Sequence, residues 1–190
     1  MKLNRPIRRI IIHHTFTSDG ITVNWQAIRR YHVEKLHWKD IGYHFGVEWV
    51  RKDYEVLVGR PLDMVGAHTK CLNRDSIGVA IVGNFNDRPP TNKQLYVLIN
   101  RIIVPLVKIF NIPLEMIQGH REAFVAVKYE GRYPTYCLKQ NKKSCPGWSF
   151  SMANLRNILK NMGLNPRDKK YLKELDDFDR EAVNLRKVFW

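Results

Sequence analysis

The 190-residue chain is poor in cysteine, in acidic residues and in long apolar runs. Its three cysteines, Cys71, Cys137 and Cys145, form no CxxC pair. That excludes a disulfide-stapled miniature fold and a zinc ribbon. The expectation is a reducing interior in which Cys71 and Cys137 are inert thiols and at most one cysteine does chemistry. The most apolar stretch, Leu95 to Phe110, is interrupted by Arg101, Pro105 and Lys108, so it is no membrane span. The N-terminal MKLNRPIRR is followed by only three isoleucines before two histidines, too short an apolar run for a signal peptide. A cytoplasmic site of synthesis is therefore expected. Internal repeats and low-complexity tracts are also lacking. What is present is 44% hydrophobic residues, enough for a real core, and 32 Lys+Arg against 18 Asp+Glu, a net charge of +14. The apolar content excludes a wholly disordered chain, and the basic excess favours polyanionic partners: nucleic acid, anionic lipid surfaces or bacterial wall polymers.

Hydrophobic patterning gives the elements. Ile7 to His14 reads as a buried strand with its polar residues at the C-terminal end. A helix follows from Asn24 to about Leu36. Gly42 to Arg51 and Glu55 to Val58 read as a hairpin turning at Lys52-Asp53, and Ser76 to Gly83 as another buried strand. Thr91 with Gln94 is a capping box for a helix that Pro105 should kink or shorten. A short strand leads into Gly119-His120, and Ser151 to Met162 is a core helix. The expected fold is α/β, a central mixed sheet flanked by helices, spanning residues 1–163. Residues 164–190 carry seven basic and six acidic side chains and read as a charged amphipathic helical tail. The remaining +13 thus belongs to the main domain.

Four places combine reactive side chains with strand ends or loops: His13-His14, Tyr43-His44, His120 in GHRE, and Cys145 in KSCP. Two imidazoles and a thiolate are a suitable tetrahedral zinc set with a fourth position for water. Zinc lowers the pKa of bound water from 15.7 to about 7. Residue types alone do not decide the matter, because seven histidines and three cysteines offer many accidental trios and histidines satisfied by hydrogen bonds are common. His44, alternating with Tyr43 along an extended segment, faces the other way and reads as structural. His32 and His37 read as ordinary surface or core histidines.

The words IIIHHT, GYHF, VGAHTKCLNRDSIGVAIVGNF, GHRE and KSCP occur in this order, and together they resemble the zinc-dependent N-acetylmuramoyl-L-alanine amidases of type 2. That family includes phage lysozyme-type amidases and is similar to animal peptidoglycan recognition proteins. The resemblance covers roughly residues 5 to 163. It implies zinc held by His13, His120 and Cys145, with Tyr43 beside the metal and Lys143 as the catalytic cation of the phage enzymes. It also implies His68 and Asn73 in the substrate groove. His14 and Glu122 are expected behind the ligands, and the general base stays open between Tyr43 and Glu122.

The implied reaction is hydrolysis of the amide between the lactyl group of N-acetylmuramic acid and L-alanine by zinc-activated water. The implied setting is a phage or prophage endolysin, a monomer held in the host cytoplasm until lysis. Its partner is peptidoglycan, with anionic wall polymers or lipopolysaccharide of the outer membrane attracted by the basic domain. The alternatives are a non-catalytic muropeptide-binding module, against which Cys145 argues, and a nucleic-acid- or polymerase-binding protein, which no motif supports. Between His120 and Cys145 lie 24 residues, more than the family usually needs. The extra stretch, roughly 124–142, is expected as a loop or hairpin bordering the groove, or as a tolerated surface insertion.

Overall fold

The computed structural model describes residues 3–17, 24–134, 136–137 and 144–189. Its strands are β1 (Arg9–His14), β2 (Phe45–Val50), β3 (Asp53–Val58), β4 (Ser76–Ile81) and β5 (Ile117–Gly119). They form one mixed sheet in the order β3-β2-β4-β1-β5. β1 pairs in parallel with both β4 and β5, and β2 pairs in parallel with β4. Among the described residues the β2–β3 hairpin is the one antiparallel pair. The centre falls to β1 and β4 because their residues are apolar on both faces, as a strand covered on both sides requires. Ile10, Ile11 and Ile12 are fully buried, each contributing roughly 1.5–3 kcal/mol of apolar burial.

Two layers of helix cover the sheet. One face carries α2 (Asn92–Val97), α3 (Val104–Phe110) and α5 (Met152–Asn161); with the turn Leu98–Ile103 that joins α2 to α3 they pack Leu98, Ile102, Leu106, Leu155 and Leu159 onto Ile10, Ile12, Ile77 and Val79. Thr91 and Gln94 do form the capping box of α2. Pro105 does not break the helix. The chain widens to a π-type turn over Leu98–Ile103 and resumes as α3 with Pro105 in its first turn, the wider turn accommodating the proline within the helical ladder. The helix after Asn24 behaves similarly, with α1 (Trp25–Arg30) continuing as a π-type turn over Tyr31–Lys35.

The other face is divided. Trp25 and Ile28 of α1 pack on Ile41, Ala80 and Val82 at one end. At the other end α4 (Ala123–Glu130) and α6 (Lys169–Phe189) cover Ile11 and Leu72 through Ala123, Ala126, Val127, Tyr171 and Leu175. Residues 123–130 are therefore helix, which corrects the expected loop or hairpin over the first part of 124–142; residues 135 and 138–143 lie outside those described. In α6 the inward residues Tyr171, Leu175, Asp179 and Ala182 are buried at helical spacing, so the tail packs into the same core.

The inert-thiol expectation for Cys71 and Cys137 is overturned, because the two form a disulfide across 66 residues. Nothing in their sequence spacing announces a pair; the fold supplies it by laying the loop after β3 against the segment beyond α4. Replacing both cysteines with alanine is expected to lower the unfolding free energy by about 3 kcal/mol through the freed chain. The readout is the urea midpoint under oxidising conditions. An unchanged midpoint would show that the bridge adds nothing to the fold.

Candidate active site

Side chains alternate along a strand, so His13, two residues beyond Ile11, emerges on the divided face between the two helical covers. β5 ends beside it and passes directly into a short turn over His120–Glu122. The loop before α5 brings in Cys145. Nitrogen atoms of His13 and His120 and the sulfur of Cys145 all lie within 4.8 Å of one another. The sulfur is 3.5 Å from His13 Nδ1, and the His13 and His120 rings are 4.7 Å apart. Both histidines are buried while Cys145 is half-buried, so the trio is backed by protein and open on one side. The trio lines a cleft with Tyr43, His68, Trp38 and Phe16. The Tyr43 ring stands 5.2 Å from that of His13. Burial raises the Tyr43 hydroxyl above its ordinary pKa, and the neighbouring Cys145 adds to the shift. Tyr43 therefore keeps its proton at neutral pH.

Behind His13 stands a consistent chain of donors and acceptors. Its Nε2 lies 3.1 Å from His68 Nδ1 and 3.3 Å from Thr69 Oγ1. His68 is held neutral, its pKa well below normal chiefly through burial and then through His44 and His120. Its Nε2 faces Ser76 Oγ at 3.4 Å, and Ser76 donates onward to Leu72 O. One tautomer set satisfies every step: His13 Nε2–H to His68, His68 Nε2–H to Ser76, leaving His13 Nδ1 as the lone pair facing Cys145. The His68 ring fits because residue 78 is glycine: a Cβ there would lie 2.4 Å from the ring.

The remaining sequence candidates fall as follows. His14 points to the opposite side, where its Nδ1 accepts the Phe85 N–H, although it also borders the cleft. Asn73 reaches the groove only through its neighbours: its Oδ1 accepts the N–H groups of His68 and Thr69. Glu122 is fully buried, receiving Arg156 on both oxygens and the Gly119 N–H on one. It holds the turn that bears His120. Lys143 lies outside the described residues. His44 is buried and accepts the Gly78 N–H at Nδ1. Sequence reasoning passed over Thr69, Phe16 and Trp38. Thr69 sits inside GAHT and Phe16 two residues past the histidine pair, so their positions in the motifs were the available signal.

Two of these histidines set a pH dependence. His14 and His44 are both pushed down to about 4, in each case mainly by burial, with Arg121 adding for His14 and Arg5 and Arg60 for His44. Unfolded histidines titrate near 6.5. Above that pH both states are neutral and stability is complete. As pH falls from 6.5 to 4 the unfolded chain takes up protons that the native chain refuses, so stability drops by a few kcal/mol in all. Urea midpoints across pH 7 to 4 check this, and a flat profile would contradict the assignment.

The comparisons agree with this geometry. A peptidoglycan recognition protein of Trichoplusia ni is 41% identical over 101 residues, covering 49% of this chain and 52% of the relative. The endolysin of Klebsiella phage KP32 is 38% identical over 78 residues, 41% of this chain and 49% of that protein. The chain thus spans about half the length of these two relatives. Among solved structures, the N-acetylmuramoyl-L-alanine amidase endolysin LysCS of Clostridium intestinale superposes with a TM-score of 0.62 at 27% identity, covering 83% of this chain and 86% of the other. The family model described as N-acetylmuramoyl-L-alanine amidase matches residues 3–148, well over half of the sequence, and the chain therefore belongs to that amidase family, Amidase_2.

Proposed function

We propose that the protein is a zinc-dependent peptidoglycan hydrolase that cleaves the amide between the lactyl group of N-acetylmuramic acid and L-alanine, acting as a phage or prophage endolysin. The observation that carries this reading is the convergence of His13, His120 and Cys145 from three separate segments onto one point in an open cleft. Two imidazoles and a thiolate suit tetrahedral zinc and leave one position free. Bound there, zinc supplies a Lewis acid and makes water acidic enough to ionise near neutral pH.

The chain's own residues do the rest. His68 and Thr69 fix the tautomer and orientation of His13, which keeps Nδ1 turned toward the site. Tyr43, whose ring stands beside His13, serves as a hydrogen-bond donor to the carbonyl oxygen on which negative charge develops. Lys143, two residues before Cys145, is assigned from its motif as a second cation for that charge. Phe16 and Trp38 form an apolar rim against which a glycan or stem peptide lies and which thins the water around the scissile bond.

The basic main domain suits attraction to anionic wall polymers or lipopolysaccharide. The Cys71–Cys137 bridge suits the oxidising space outside a lysed cytoplasm. Several relatives are named recognition proteins, which supports a second reading: a muropeptide-binding module without catalysis. Mass spectrometry of purified muropeptides after incubation decides between them. Release of free stem peptide with an L-alanine N-terminus, from uncut glycan, is the expected result. Retention of intact muropeptide on the protein without release would select the second reading.

A further inference from the structure

The C-terminal helix α6 lies beyond the family match and is tied to the ligand loop through the buried pair Arg121–Asp179. Arg121, next in sequence to His120, is only 1% exposed, and all five of its guanidinium donors are used. Nη1 donates to the carbonyls of Ser144 and Gly147, and Nη2 to that of Phe150. The Nε and the second Nη2 proton go to Oδ1 of Asp179 on α6. The Arg121 backbone N–H donates to Cys145 O at 2.7 Å. One arginine therefore grips four carbonyls of the loop that presents Cys145. Asp179 is completely buried, and its Oδ2 accepts Ser151 Oγ and the Ala153 N–H at the start of α5.

The loop cannot settle by itself. Gly147 has φ +111° and a Cβ there would lie 2.3 Å from Phe85 O, so the chain passes against that backbone in a conformation other residues rarely adopt. Its carbonyls turn inward onto a cation rather than outward to water. A buried guanidinium holds that arrangement only while its charge is matched, and the carboxylate within reach of it is Asp179.

We infer that Asp179 of the C-terminal helix is a positioning residue for the metal ligand Cys145, acting through Arg121. The inference rests on the zinc reading given above. Asp179→Asn keeps the shape and the acceptor for Ala153 but removes the charge that orients Arg121. Arg121 then loses its fixed geometry, and the thiolate loses its fixed distance from His13 and His120. Loss of a group that orients a metal ligand typically weakens metal binding by about 10- to 100-fold.

The test measures zinc affinity by chelator competition, and the rate of zinc release, on the full chain at a temperature where circular dichroism shows every variant folded. Asp179→Asn is expected to bind zinc 10- to 100-fold more weakly and to release it faster. Arg121→Lys is expected to do the same, since three ammonium donors cannot span the carbonyls and the carboxylate; it serves if Asp179→Asn fails to fold. Leu175→Ala removes a buried α6 side chain from the neighbouring core and is expected to lower the melting temperature while leaving zinc affinity within threefold. A Leu175→Ala loss of affinity equal to that of Asp179→Asn, or an Asp179→Asn affinity equal to the wild type, overturns the inference alone. A wild-type chain that takes up no zinc overturns the metal reading and the inference with it.

Discussion

Cys145→Ser is expected to fold, to lose stoichiometric zinc and to lose at least about 1000-fold in the rate of peptidoglycan hydrolysis. A serine hydroxyl stays protonated at neutral pH, so the site keeps two neutral imidazoles and no anionic ligand. The Lewis acid and the ionisable water then go together; removing one oxyanion donor alone already costs about 100- to 1000-fold. The fold is expected to survive because the loop is held by its backbone. Arg121 bonds Cys145 O and the carbonyls of Ser144, Gly147 and Phe150, none of which involve the thiol, and the side chain is half-buried. Tyr43→Phe supplies the contrast: full zinc content with roughly a 100-fold lower rate, since only a donor is lost. Zinc content of the purified proteins, set beside the clearing of cell-wall suspensions, reads both outcomes. Undiminished clearing by Cys145→Ser would end the proposed mechanism.

How far the sequence foretold this arrangement depends on the kind of residue. The β1 strand was legible because a run of isoleucines has one stable place, between two covers. Its Arg9 was not. That side chain is fully buried between Asp75 and Glu130, partners 66 and 121 residues away. His13, His120 and Cys145 were legible as motifs taken together, but no spacing rule says that three strand and loop ends will meet within 4.8 Å. The polar residues behind them were least legible. Asn73 serves backbone N–H groups, and Glu122 an arginine 34 residues on, so a carboxylate beside a ligand in sequence turned out to face away from the chemistry.

The charge needs the same correction. Arg5, Arg9, Arg60, Arg121 and Arg156 are all buried. Part of the basic excess counted from the sequence therefore holds the core and the ligand loop in place. The field available to a polyanionic partner such as the proposed wall polymers comes from the exposed remainder, and such a field acts on association.

Glu122→Ala is expected to lower stability by about 3–5 kcal/mol, the cost of leaving one partner of a buried ion pair uncompensated. Burial pushes the Glu122 carboxyl up, while Arg156 beside it favours the ionised form; both side chains are at most 1% exposed. Arg156 also donates to Ile117 O and reaches Asp176 on α6, so the cation stays trapped when Glu122 is removed. For a chain of this size the loss corresponds to roughly 6 to 20 °C in melting temperature. Glu122→Gln separates fold from chemistry. A general base contributes about 100- to 10,000-fold in rate. A carboxylate that only holds the Gly119 N–H and Arg156 contributes to where His120 sits. The expectation is a lowered melting temperature with kcat retained within about tenfold, measured at a temperature where the variant is folded. The pH profile should keep the wild-type shape. A kcat falling by more than 100-fold, with the basic limb of the profile unchanged and the acidic limb gone, would restore Glu122 as the base and take that role from the water and metal alone. Combining Glu122→Ala with Arg156→Met should cost less than the sum of the single changes, because the second removes the buried charge that the first leaves with Asp176 as its remaining carboxylate.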